Sequence, residues 1–117
     1  MESKFVSDVR QFVEAASASG FYCAESVVLA LAKSQGVESE LLPRLATAFC
    51  GGMSRTGGQC GALTGAVMGV SLAYGRSTAG EPTGRLYAAV QQLLHEFGQE
   101  FGARDCSDLL DCDLGTA

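Results

Sequence analysis

The chain has no tryptophan, two prolines, one histidine and only eight lysines and arginines among 117 residues. Each shortage excludes something. Scattered positive charge and a formal net charge of −5 leave no basic patch for nucleic acid or an anionic membrane surface. A single histidine, His95, cannot supply a multi-histidine metal site. Long apolar runs are missing too. The most apolar stretch, Cys60 to Tyr74, contains three glycines and falls short of the roughly 20 residues a bilayer requires. Charges at Glu2, Lys4 and Asp8, with no apolar stretch leading to a cleavage site, make the start unlike a secretory signal and point to the cytoplasm.

Several motifs are absent as well. There is no GxxxxGK[ST] phosphate loop and no GxSxG elbow, so nucleotide binding and serine hydrolysis have no support. No CxxCH is present for covalent haem, and no CxxC for a zinc finger or ferredoxin. The acidic end, with Asp105, Asp108, Asp111 and Asp113, lacks the glycine and terminal glutamate of a calcium loop.

What is present is cysteine and glycine. Hydrophobic residues make up 47% of the chain, enough for one core and one domain over residues 1–117. Five cysteines, at 23, 50, 60, 106 and 112, form an odd number in a chain expected to stay in a reducing compartment. A structural disulfide framework is therefore disfavoured against catalytic, redox-sensing or metal-binding thiols.

The apolar spacing predicts an all-α bundle of about five helices with a glycine-rich loop before the fourth. Phe5, Val9, Phe12, Val13 and Ala16 mark the first helix, stopped by Gly20. The second runs from Cys23 to about Gln35, with Gly36 as its stop. Ser39 caps a third, which includes Leu41, Leu42, Leu45, Ala46 and Phe49. The fourth is expected from about Gln59 to Tyr74, with Gly61, Gly65, Gly69 and Ala73 lining one narrow face suited to a close helix crossing or to a homodimer. Leu86, Val90, Leu93, Leu94, Phe97 and Phe101 are the stripe of a long fifth helix, and Cys106 to Leu110 allow one or two further turns.

Between the third and fourth helices lies Gly51-Gly52-Met53-Ser54-Arg55-Thr56-Gly57-Gly58, four glycines in eight residues. Cys60 follows where this loop enters the helix. Unpaired N–H groups and the positive helix end favour the thiolate there, the form that attacks disulfides and binds metals. Cys60 is thus the expected attacking thiol, with Cys23 or Cys106 as its partner in a disulfide. Arg55 and Glu25 lie close in sequence to these thiols. Arg55 could add positive charge and Glu25 could act as a proton acceptor, but a solvated loop side chain and a charge suited to a helix N-terminus are the simpler roles for them.

Tyr22-Cys23-Ala24-Glu25-Ser26, the run Cys50 to Gly65 with its Cys60-Gly61-Ala62-Leu63-Thr64-Gly65 core, and Phe101-Gly102 leading to Cys106 together resemble the C_GCAxxG_C_C family of redox-active proteins. The resemblance covers nearly the whole chain. It implies a small helical protein whose function rests on cysteines, Cys23, Cys60 and Cys106 matching three of the family's four. Members typically carry the fourth in a C-terminal extension that is not seen here, and Cys112 is the candidate to stand in for it. The resemblance further implies thiol–disulfide chemistry with an unidentified redox partner, as a possible thiol–disulfide oxidoreductase, and a functional link to a transporter. An iron–sulfur cluster or metal ion held by Cys23, Cys60, Cys106 and Cys112 is the alternative, and a non-catalytic helical interaction module a third.

Overall fold

The computed structural model describes residues 3–110. Six α-helices follow one another: α1 (Lys4–Ala18), α2 (Cys23–Ser34), α3 (Leu41–Ala46), α4 (Gly61–Tyr74), α5 (Gly84–Phe101) and α6 (Cys106–Leu110). The all-α class and the helix order agree with the periodicity of the sequence. The third helix is shorter than its apolar spacing suggests, because residues Thr47–Phe49 tighten into a 3-10 turn after α3. Leu41 and Leu45 face outward rather than into the core.

Local chemistry accounts for the boundaries. The Ser3 hydroxyl accepts from the Val6 N–H and starts α1. Glu25 accepts from the Tyr22 N–H at 2.9 Å, one half of a capping box at the start of α2. Gly102, at φ 77°, ends α5 in the left-handed conformation that favours glycine. The only extended pairing among the described residues is an isolated bridge between Gln59 and Asp105.

α2 is the central element, packed against α1, α3 and α4, whereas α5 rests on α4. Ala24, Val28, Ala46 and Cys50 form the buried cluster, with Leu42, Phe49 and Met68 against it. The α2–α4 crossing is the tight one. A Cβ on Gly65 would stand 2.7 Å from the Ala24 carbonyl oxygen and 3.1 Å from Val27 Cβ, and one on Gly69 would overlap Leu31. The glycine face of α4 therefore lets two backbones meet, which offsets the roughly 1 kcal/mol that each helical glycine costs relative to alanine.

The pairing order also sets direction. Gly61 meets Cys23, Gly65 meets Ala24 and Val27, Gly69 meets Leu31, and the Gln35 side chain donates to the Gly69 carbonyl at 3.0 Å. α2 and α4 thus run parallel, with both N-termini at one end of the bundle. Among the described residues no helix is long and apolar enough to cross a membrane.

Candidate functional site: a cysteine centre at two helix N-termini

Parallel packing carries the first residue of α2, Cys23, to the cap of α4, Cys60. Cys23 is exposed and Cys60 half-buried. Gly61 separates them: a Cβ there would overlap Cys23 Sγ, stand 2.9 Å from the Phe49 carbonyl oxygen and 3.3 Å from Cys50 Cα. A glycine is required at this position, because any side chain would displace the sulfur or the end of the 3-10 turn. The positive dipole ends of two helices meet near these thiols.

The loop after Cys50 brings the last described cysteine to the same end. Gly51, Gly52, Met53, Ser54 and Arg55 have φ of 71°, 72°, 58°, 58° and 67°, five consecutive residues in the left-handed region. Three of them carry side chains, and each costs about 1–2 kcal/mol in that conformation. Backbone bonds hold the turn closed: Arg55 N–H to the Cys50 carbonyl at 3.2 Å, Thr56 N–H and Gly58 N–H to the Gly52 carbonyl at 3.2 and 3.0 Å. The Thr56 hydroxyl adds a contact to the same carbonyl at 2.9 Å.

This turn clasps the start of α6. Cys60 N–H donates to the Arg104 carbonyl at 2.7 Å, Cys106 N–H to the Gly58 carbonyl at 2.6 Å, and Ser107 N–H to the Gly57 carbonyl at 3.2 Å. A Cβ on Gly52 would come within 2.8 Å of Cys106 Cβ. Cys106 is consequently buried, at 6% exposure, against the inner side of the loop. Cys106 reaches this end as the first residue of the short helix α6, the segment in which its sequence placed it.

Cys50 is the cysteine whose surroundings sequence reasoning missed. It is 7% exposed, and its Sγ lies 3.9 Å from Glu25 Oε1 and 3.8 Å from the Ala46 carbonyl oxygen. Burial pushes its thiol pKa up, opposed by the backbone N–H groups of Glu25 and Ala24 and reinforced by the nearby Cys23 and Glu25 charges. Glu25, taken from sequence as an early-helix charge, is that and more. Only 8% exposed, its carboxyl accepts from the Tyr22 N–H and, at 2.7 Å, from the Thr47 hydroxyl, and it faces the Cys50 sulfur. The signal in the sequence was a glutamate two residues from one cysteine with a second cysteine at the end of the next helix. Only packing brings them together.

The remaining candidates lie elsewhere. Arg55 is exposed on the left-handed turn, and His95 is exposed on α5. Cys112 lies outside the described residues, and so do Asp111 and Asp113. Among the described residues no three His, Cys, Asp or Glu side chains gather closely enough to hold a metal ion. The alternative metal set of Cys23, Cys60, Cys106 and Cys112 includes a cysteine outside the described residues, and no chemical step is assigned through a metal or cluster.

Six α-helices among the described residues, with cysteines gathered at two helix N-termini and a glycine turn, define a small all-α cysteine-centred protein. Residues 21–116 match the family model described as "Putative redox-active protein (C_GCAxxG_C_C)". The chain belongs to that family. No curated protein and no solved structure matches it.

Proposed function

We propose that this redox-active family member works by cysteine thiol–disulfide exchange, with Cys60 as the attacking thiol, Cys23 as its partner and Cys106 as the buried third cysteine of the site. The observation that carries this reading is the shared position of Cys23 and Cys60 at the adjoining N-termini of α2 and α4, separated by Gly61. Helix N-termini favour thiolates, and two sulfurs must lie within reach for one to resolve the mixed disulfide formed by the other. Cys23 is the better partner because it is exposed, whereas Cys106 is enclosed by the loop. The substrate class is a small disulfide, and a separate redox partner in the cytoplasm restores the thiols.

Anaerobic purification followed by thiol titration and elemental analysis, on the wild type and Cys60→Ser, tests this. Metal-free protein that reversibly gains and loses a Cys60-dependent disulfide supports exchange chemistry. Stoichiometric iron or zinc that disappears in the variant would replace it with a metal or cluster site.

A further inference from the structure

Cys50 has no part in that reading, yet it stands in the most developed acid–base arrangement among the described residues. Its backbone lies close behind the exposed Cys23: the position a Cβ on Gly61 would take touches both Cys23 Sγ and, at 3.3 Å, Cys50 Cα, and Cys50 is itself 7% exposed. A proton acceptor faces it, since Glu25 Oε1 lies 3.9 Å from Cys50 Sγ and Glu25 is a buried residue, 8% exposed. That carboxyl is fixed from two further sides, by the Tyr22 N–H at 2.9 Å and the Thr47 hydroxyl at 2.7 Å, so it is held in place facing the thiol. The N–H groups of Ala24 and Glu25 also face the sulfur, which therefore sits over the start of α2, beside Cys23.

We propose that Cys50 is the final resolving thiol of the site and Glu25 its proton acceptor, so that a disulfide formed between Cys60 and Cys23 comes to rest between Cys23 and Cys50. This rests on the thiol–disulfide reading above. In the step, Cys50 Sγ attacks Cys23 Sγ while its proton passes to Glu25 Oε1. The Cys23–Cys50 bond forms, the Cys23–Cys60 bond breaks, and its electron pair leaves on Cys60 as a thiolate at the start of α4. One disulfide is consumed and one is made, so the protein is neither further oxidised nor reduced. The oxidising equivalents enter earlier, when the small disulfide substrate is reduced to two thiols as Cys60 and Cys23 are oxidised.

The arrangement explains why a buried thiol and a buried carboxyl are kept together. Burial holds Cys50 protonated and therefore unreactive towards passing disulfides. It becomes a nucleophile only where a base takes its proton as the bond forms, and it can reach only a sulfur presented from within, that of Cys23. A cysteine that merely filled the core would have no use for a carboxyl on its sulfur.

The test is a time course on the full chain, reduced, mixed with hydroxyethyl disulfide, quenched in acid, alkylated and mapped by mass spectrometry after trypsin. Arg44, Arg55 and Arg76 place Cys50 and Cys60 on separate peptides, and Lys33 separates Cys23 from both. The expected result in the wild type is a Cys23–Cys60 link that gives way to Cys23–Cys50. In Glu25→Gln the first link forms normally and the transfer slows roughly 10- to 100-fold, at or below the usual contribution of a positioned base. Cys50→Ala should stop at Cys23–Cys60. A wild type that ends at Cys23–Cys60 or at a Cys106 link overturns the proposal while leaving exchange chemistry standing. No protein disulfide at all overturns both. Equal transfer rates in wild type and Glu25→Gln would remove Glu25 from the step. The wild-type arm requires no variant to fold, and Glu25→Asp, which keeps the carboxyl, should recover part of the transfer rate if Glu25→Gln is misfolded.

Discussion

Cys23 Sγ lies in the space that a Cβ on residue 61 would need, so the first cysteine of α2 seats directly on the backbone of α4 through Gly61. The same helix pair closes again at Gly65, where the Ala24 carbonyl oxygen is 2.7 Å from the missing Cβ. Neither neighbour is the loose end of a long side chain. Gly61→Ala and Gly65→Ala are each expected to destabilise the fold by about 1–3 kcal/mol, because overpacking outweighs the roughly 1 kcal/mol gained in helix propensity. Gly98→Ala, in α5 with nothing within 4 Å of its added carbon, should instead stabilise by up to about 1 kcal/mol. Urea unfolding of the three variants reads the contrast directly, and equal effects at positions 65 and 98 would contradict the close α2–α4 crossing.

Removing the Glu25 carboxyl strands its partners. In Glu25→Ala the Tyr22 N–H loses its cap, and the Thr47 hydroxyl keeps only the Pro43 carbonyl, 2.7 Å away. A loss of about 1–3 kcal/mol in unfolding free energy is expected from the lost cap and the orphaned N–H. Glu25→Gln, which keeps an acceptor oxygen, should lose less than half of that in the same urea titration.

Cys50 couples stability to alkaline pH. Its folded-state pKa is raised by burial, so the unfolded chain gives up this proton first. The contribution is present in full below the ordinary thiol pKa of about 8.5 and is lost as pH rises from there through the raised folded value. Wild-type protein under reducing conditions should therefore lose stability above about pH 8.5, and Cys50→Ala should lose less over the same range. Parallel curves for the two proteins would show that the thiol is not buried as described.

The left-handed turn stores conformational strain at Met53, whose φ is 58° and whose side chain is 52% exposed. Glycine adopts this conformation without the steric cost. Met53→Gly is expected to stabilise by about 1 kcal/mol, part of the relief being returned as greater freedom in the unfolded chain. Thermal unfolding of the reduced protein measures it, and a destabilised variant would mean that Met53 contributes packing worth more than the strain.

Much of this protein was legible in its residues because helices announce themselves locally. The stripe of α5 from Leu86 to Phe101, the stop at Gly36 and the small-residue face Gly61-Gly65-Gly69 all follow from the 3.6-residue period and the conformational range of glycine, which depend on neighbours a few positions away. The cysteine pattern likewise nominated Cys23, Cys60 and Cys106 as candidates, and packing brings the three to one end of the bundle. The loop was visible as a dense glycine run, but not its handedness: Met53, Ser54 and Arg55 adopt positive φ although their side chains disfavour it. Bonds within the turn, Arg55 N–H to the Cys50 carbonyl and Thr56 N–H to the Gly52 carbonyl, hold that conformation, and Gly57 and Gly58 beyond it are clasped to Ser107 and Cys106 some fifty residues onward.

Sequence alone determined the helical class, the tight face of α4 and the place of a cysteine at its cap, since each is a property of local spacing and backbone freedom. Tertiary structure decided that α2 and α4 run parallel, that their N-termini therefore meet at Cys23 and Cys60, and that Glu25 is buried facing Cys50. Those relations join residues 25 or more positions apart, and no local propensity encodes them; they arise where backbones can approach closely enough to exclude water and enclose a thiol with a carboxyl.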